Sequence, residues 1–185
     1  MKHNNFKQRV LTLALAAVFA ISCGFFAVNS YAATDTGTAT ATVVRPISIE
    51  AVDDLRFGSF STTAAAQTVA IATDGARTSS GVLLLAQDIG FGAASFAVTG
   101  EGAYTYAITL PADEVVTITT GAATAPETMA VSTFLSDPTG TGGVLSSTAG
   151  TEGTQTLLVG ATITTVAEQV AGVYEGTFDV TVEYN

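Results

Sequence analysis

The sequence has one cysteine, one histidine, no tryptophan and only two lysines in 185 residues. Cys23, His3 and both lysines fall within the first 32 residues. The rest of the chain therefore has no disulfide, no cysteine-ligated metal site and no cysteine nucleophile, and it has no histidine or lysine to act as a base. Hydrolase triads and thiol chemistry are excluded, and the fold must be stabilised by packing.

Positive charge is also scarce. Beyond residue 32, three arginines stand against sixteen acidic residues, which is a formal net charge of −13. Such a surface repels phosphate backbones and anionic lipid head groups, so we expect no nucleic-acid partner. The three arginines, Arg45, Arg56 and Arg77, are isolated in the sequence, and we expect them to pair with acidic side chains.

Two pairs of adjacent acids, Asp53-Asp54 and Asp113-Glu114, are the remaining candidates for chemistry. A glycosidase needs two carboxylates that converge on one bond, whereas adjacent residues of a strand point to opposite faces. We therefore expect a protein that is not an enzyme and that has no cofactor. Calcium binding by Asp53 and Asp54 is an alternative. No EF-hand spacing is present, and we expect this pair to help form a turn before a strand over residues 55–58.

The first 32 residues have the pattern of a secretory signal peptide. Basic residues precede an apolar run from Val10 to Val28, and Ala32 ends a triplet with small residues where a signal peptidase reads the chain. We place the cleavage after Ala32 and expect export through the periplasm to the cell surface or medium. A retained membrane anchor is the alternative. Lipid modification of Cys23 is another, although the sequence stays apolar beyond that cysteine.

Alternation of apolar and polar residues dominates the remainder of the chain. It recurs at residues 104–110 and 157–163, and it is clearest at the C-terminus, in Phe178, Val180, Val182 and Tyr184. Period-two alternation indicates half-buried strands, and Gly, Asp, Pro and Ser separate the apolar stretches at short intervals. The pattern predicts an all-β fold without helices, a single immunoglobulin-like or related β-sandwich over residues 46–185. Residues 139–154, rich in Gly, Thr and Ser, are predicted to form a long loop.

The start of this region contains more alternating positions than one strand needs. From residue 39 to residue 51 the odd positions are apolar, and only Arg45 interrupts them. A strand of that length would span roughly 43 Å, whereas most strands have about five or six residues. Pro46 cannot donate a ladder hydrogen bond, so we divide the row there. We predict a strand from about Ile47 and, before it, an N-terminal arm over residues 33–45.

The arm has two interpretations. Small uncharged residues alone do not force a strand, so the arm could be disordered. Alternatively, the arm completes the sheet of a neighbouring copy by β-augmentation, with main-chain hydrogen bonds for affinity. In that case Ala39, Ala41 and Val43 are the residues that fill successive pockets of the neighbour.

Two segments carry a family resemblance. DDLRFGSF at residues 53–60 and GVYEGTFDVTVEYN at residues 172–185 resemble an uncharacterised family of secreted bacterial β-proteins with a DLxFG stretch and a GxYxGxFxVxVxYN ending. The ending is also similar to archaic chaperone-usher pilins and spore-coat-U-type domains. Pilins of that kind usually have a disulfide, which this chain lacks.

The resemblance to pilins implies a pilin-like sandwich that lacks a strand and exposes a groove. It also implies that the last strand binds a periplasmic chaperone and later the arm of another subunit, with Gly172, Phe178, Val180, Val182 and Tyr184 at the matching positions. The expected partners are other copies or related subunits, the chaperone and an outer-membrane usher. The expected function is a structural subunit of a pilus-like surface fibre that supports adhesion or biofilm. The alternative is a monomeric secreted or periplasmic carbohydrate-binding module, whose last strand belongs to a complete sandwich.

Overall fold

A computed structural model describes residues 31–85, 90–121 and 127–185 of the chain. The predicted signal peptide, residues 1–32, lies outside these ranges except for its last two residues. Residues 42–185 form one compact unit, and residues 31–41 belong to a separate unit in which they are exposed and contain no strand. Within the described ranges there is no helix that is long and apolar enough to span a bilayer.

The described part of the compact unit contains strands and no helices, and every strand pairing is antiparallel. The strands are β1 (Ser48–Asp53), β2 (Phe60–Ser61), β3 (Thr68–Ile71), β4 (Arg77–Ser79), β5 (Leu83–Leu84), β6 (Ala94–Glu101), β7 (Thr105–Thr109), β8 (Val116–Thr119), β9 (Thr128–Asp137), β10 (Gly143–Val144), β11 (Glu152–Thr164) and β12 (Thr181–Tyr184). The predicted all-β, sandwich-like fold is confirmed.

The long strand β11 organises the larger sheet. On one edge it pairs first with β6, as far as Val159, and then with β3, while β9 pairs with its other edge from Leu158 onward. The hydrogen-bonded path through the sheet is β1-β6-β11-β3-β4, and β8 joins through β9. Because side chains alternate along a strand, one face of β11 contributes Leu157 to a first core cluster and Ile163 to a second.

A second sheet, in the order β10-β7-β12, covers the first core cluster. Tyr106 and Ile108 of β7 and Val182 of β12 share that cluster with Val98 of β6 and Leu157 of β11. The cluster therefore lies between the two sheets, which is the packing expected of a sandwich. The second core cluster lies between β3, β8, β9 and β11, and side chains of the small β2-β5 sheet pack against it.

Two local predictions were wrong. The predicted loop over residues 139–154 includes β10, and Leu145 within it is buried at 1% exposure because it completes the first core cluster. Residues 55–58 do not form a strand, since only Arg56 makes a bridge, to Gly92. Gly58 has a φ of +68°, which ends an extended segment and which glycine adopts readily.

Arg77 also differs from its expected role. Its guanidinium donates hydrogen bonds to the carbonyl oxygens of Phe57 at 3.1 Å and Leu85 at 2.8 Å, and it lies 4.3 Å from the centre of the Phe91 ring. A side chain on Gly58 would overlap this guanidinium. Arg77 therefore binds backbone carbonyls next to the small β2-β5 sheet, and it forms no ion pair with an acidic side chain of the described chain.

Candidate strand-acceptor site

β12 is an edge strand. Among the described residues it pairs with β7 alone. The N–H of Asn185 donates to the carbonyl oxygen of Thr105 at 3.2 Å. The backbone groups of Asn185 therefore face β7, as do those of Glu183 and Thr181. Since successive residues of an antiparallel strand face opposite partners, the N–H and C=O groups of Val182 and Tyr184 point away from β7. Within the part of the chain that the structure describes, this side of β12 is an open strand edge, which is a template for pairing with another strand.

The side chains near β12 alternate as the sequence predicted. Phe178, Val180 and Tyr184 are half-buried and Val182 is buried, whereas the odd-numbered residues between them are exposed. The predicted strand was nevertheless too long at its start. The ladder begins at Thr181, whose partner Thr109 is the last residue of β7, and residues 177–180 form no ladder pair with any strand of the described chain.

Phe178 lies where the two core clusters meet. It packs against the margins of both clusters. Its ring makes an edge contact with Phe96, with centroids 6.2 Å apart, and a tilted contact with Phe134 at 5.3 Å. Such aromatic pairs add to the free energy gained from buried area. Phe178 thus fixes the chain that leads into β12 against the sandwich core.

A second open edge lies beside β12. β1 pairs only with β6 among the described residues, and it lies close to β12. Ile49 of β1, and Ile47 just before it, are half-buried against the same core cluster as Val180 and Tyr184. We call the region between these two edges the seam. It combines unpaired backbone groups with incompletely covered apolar side chains, which is the chemistry that a further strand would satisfy.

Arg45 is held at one end of the seam by two side chains. Its N–H and its guanidinium Nη1 donate to Oε2 of Glu101 at 3.2 and 3.0 Å. Its carbonyl oxygen accepts a hydrogen bond from the Tyr184 hydroxyl at 3.0 Å. The Tyr184 hydroxyl oxygen accepts from the backbone N–H of Glu101 at 2.6 Å. We call these three residues the Arg45 anchor, and the prediction that Arg45 pairs with an acidic residue is confirmed.

Glu101 is the centre of the anchor. It is 5% exposed, and its second carboxylate oxygen accepts a hydrogen bond from the N–H of Gly150. The N–H groups of Gly150 and Arg45 hold the pKa of Glu101 below the ordinary value of 4.5, although burial acts in the opposite direction. The carboxylate is therefore ionised at neutral pH. A side chain on Gly100 would overlap the Tyr184 hydroxyl, so only glycine leaves room for Tyr184 there.

The three predicted donor residues are exposed. Ala39 and Ala41 lie in the exposed segment of the first unit, and Val43 in the compact unit is 95% exposed. Val43 and Arg45 line an open surface pocket of about 460 Å³, together with Tyr104 and neighbouring residues. An apolar side chain that is so exposed at Val43 is available to a partner.

The structure separates Gly172 from the other predicted acceptor residues. Gly172 is exposed and approaches Thr120, near the end of β8. Just after it, Glu175 and Thr119 exchange two backbone hydrogen bonds of 2.8 and 2.9 Å. Phe178, Val180, Val182 and Tyr184 line the first core cluster, whereas Gly172 lies along β8.

Asp53, a member of the first pair of adjacent acids, has a hydrogen-bond partner in the described chain. Asp53 is the last residue of β1, and its Oδ2 accepts a hydrogen bond from the Ser95 hydroxyl at 2.7 Å. The described ranges contain no group of three or more His, Cys, Asp or Glu side chains that could hold a metal ion.

Glu101 is the site residue that sequence reasoning missed. The only sequence signal was Arg45, which interrupts an otherwise apolar row and so needs a partner for its charge. Nothing in the sequence pairs Arg45 with Glu101 or Tyr184, because these contacts join distant parts of the chain.

Residues 47–184 match the family described as Domain of unknown function (DUF4402). The chain belongs to this family. The description names no function, as the resemblance to an uncharacterised family implied. The match begins just after Pro46 and covers β1 to β12, so the predicted arm precedes the matched region. No curated protein and no solved structure matches the chain.

Proposed function

We propose that this protein is a non-enzymatic structural subunit of a bacterial surface fibre, in which copies are joined by donor-strand exchange. The observation that carries the proposal is the open edge of β12 next to the open edge of β1, with half-buried apolar side chains between them. An unpaired edge of this kind associates with other chains unless it is covered. A fibre subunit uses that property for assembly, in support of adhesion or biofilm.

The arm supplies the complementary strand in this proposal. Ala39, Ala41 and Val43 follow one another at two-residue spacing, which places their side chains on one face of an extended chain about 6.6 Å apart. The backbone of the arm pairs with Val182 and Tyr184 of another copy, and the three side chains cover the seam. Backbone pairing provides most of the affinity, since these side chains are small.

Export and assembly require further partners in this proposal. The signal peptide directs the chain to the periplasm, where a chaperone strand covers the open edge of β12 until an outer-membrane usher exchanges it for the arm of the next subunit. The resemblance of residues 172–185 to pilin endings supports this sequence of events. Adjacent genes for a periplasmic immunoglobulin-like chaperone and an usher would be expected.

The test is to express residues 33–185 with and without the arm, residues 33–45. We expect polymers that resist detergent from the longer chain, and from the shorter chain a protein that stays soluble only with a chaperone. A matched pair of variants gives a sharper result. Aspartate at Ala39, Ala41 and Val43 would abolish the polymers by introducing charges into the seam, whereas aspartate at Thr38, Thr40 and Thr42 would leave them intact.

Monomers in every one of these preparations would contradict the proposal. A chain that is monomeric with and without its arm has a sandwich that needs no partner strand, which is the behaviour of a carbohydrate-binding module. Electron microscopy of the native cell surface before and after deletion of the gene is the corresponding test in the organism. Fibres that persist after the deletion would also contradict the proposal.

A further inference from the structure

Both backbone polar groups of Arg45 are occupied by side chains. Its N–H donates to Glu101, so it is not available to a neighbouring strand, and its carbonyl oxygen already accepts from Tyr184. The next residue, Pro46, has no N–H. A continuous strand that ran from the arm into β1 would therefore be interrupted at these two residues. The interruption lies beside Tyr184, the last residue of β12.

The anchor also restricts where the chain can turn. For the arm to pair with the β12 edge of its own chain, it must reverse direction just before β1, within residues 43–46. Tight hairpins require positive φ at their central residues, which glycine and asparagine provide. Residues 43–46 contain neither, and none of these four residues has a positive φ. Val43 and Val44 are β-branched, which makes such a turn costly.

We propose that the Arg45 anchor directs the donor arm to a second copy of the chain, because it prevents the arm from folding back into the seam of its own subunit. Arg45, Glu101 and Tyr184 are positioning residues in this inference. With the anchor intact, only the residues before Arg45 have backbone groups that are free to pair with another strand. Arg45 itself lies at one end of the seam. When the anchor is broken, the chain before Ser48 gains enough freedom to form a wider turn. The inference rests on the proposed function.

Chemical cross-linking separates the two outcomes, because the chain after residue 32 has no native cysteine. One form of the exported chain carries both Thr40→Cys in the arm and Thr181→Cys in β12. Two further forms carry one cysteine each, with different tags, and are mixed. A short bis-maleimide tolerates an offset of a residue or two in register. Mass spectrometry distinguishes links within a chain from links between chains, and a dilution series confirms the assignment because links within a chain do not depend on concentration.

We expect the native anchor to give links between copies in the mixed sample and few links within a chain. Tyr184→Phe and Glu101→Gln should each raise the ratio of links within a chain to links between chains about tenfold, in line with the loss of charge-assisted or buried hydrogen bonds. Arg45→Ala retains the backbone contacts and should have a smaller effect, and Arg45→Lys should restore most of the native ratio. Circular dichroism establishes that each variant is folded.

An unchanged ratio in folded Tyr184→Phe and Glu101→Gln chains would overturn the inference and leave the proposed function standing. The absence of links between copies for the chain with the native anchor would instead overturn the proposed function and the inference with it.

Discussion

The hydroxyl of Tyr184 donates a hydrogen bond to the carbonyl oxygen of Arg45 across 139 residues of sequence. Tyr184, in the last strand, is thereby tied to a residue three positions before the first strand. The same hydroxyl accepts from the backbone N–H of Glu101, at the end of β6. The Tyr184 side chain thus joins both ends of the sandwich domain to β6.

Replacing Tyr184 with phenylalanine tests the strength of this junction. The ring is retained, but the carbonyl of Arg45 loses a donor and the N–H of Glu101 loses an acceptor. We expect the free energy of unfolding to fall by about 1–3 kcal/mol, measured by urea denaturation. Tyr104→Phe is the control, because it removes a partly exposed hydroxyl from the adjacent ring and should change stability by less than about 0.5 kcal/mol. Equal effects of the two variants would contradict the assigned hydrogen bonds.

Gly100→Ala tests the space that the Tyr184 hydroxyl occupies. The added methyl group overlaps that hydroxyl, so the strand or the tyrosine must shift. We expect a loss of about 1–3 kcal/mol in the free energy of unfolding. Gly92→Ala is a matched control, since its added carbon meets open space and its φ is not positive. A neutral Gly100→Ala variant would show that Tyr184 does not lie against β6.

The anchor should weaken in acid. The pKa of Glu101 is lowered in the folded chain, so its stabilising contribution is fully present above the ordinary value of 4.5 and is lost as the pH falls through its folded pKa. We expect the difference in Tm between the native chain and Glu101→Gln to be largest near neutral pH and to shrink below about pH 4.5.

The exposed Glu50→Gln variant is the control for this titration. Its Tm should follow that of the native chain at each pH. A Glu101→Gln variant whose Tm difference stays constant from neutral to acidic pH would contradict the assigned role of the Glu101 carboxylate.

Phe178→Ala should be the most damaging substitution near β12. The ring packs against both core clusters and contacts Phe96 and Phe134, so its removal leaves a cavity between them. We expect a loss of about 3 kcal/mol in chemical denaturation. Thr177→Ala is the control, because Thr177 is the exposed neighbour of Phe178. It should change the free energy of unfolding by no more than about 0.5 kcal/mol. Similar values for both would mean that residues 177–180 are not docked on the core.

Amide hydrogen exchange tests the open edge directly. The N–H of Glu183 faces β7, whereas the N–H of Val182 faces the seam. In the monomeric chain we expect the Val182 amide to exchange faster than the Glu183 amide, as observed by NMR. In assembled fibres the Val182 amide should become protected, while the Glu183 amide changes little. Slow exchange at Val182 in the monomer would show that the edge is already paired.

Local regularities of the sequence were enough to predict the class of fold and the side chains of the last strand that face the core. Alternation reports which side chains share a face of a strand, so Phe178, Val180, Val182 and Tyr184 were assigned to the core side from their spacing alone. The division near Pro46 also follows from covalent structure, because proline has no N–H to donate, and β1 begins at Ser48. These properties depend only on the order of residues along the chain.

The open edges, the length of β12 and the Arg45 anchor were decided by tertiary structure alone. A strand edge is open or paired according to which distant strand reaches it, and β12 starts at Thr181 because β7 ends at Thr109. Arg45, Glu101 and Tyr184 meet because β1 and β12 flank the same core, and no local pattern encodes a contact between residues so far apart in sequence. Alternation predicts the face that a residue occupies, while only the folded chain determines its neighbours.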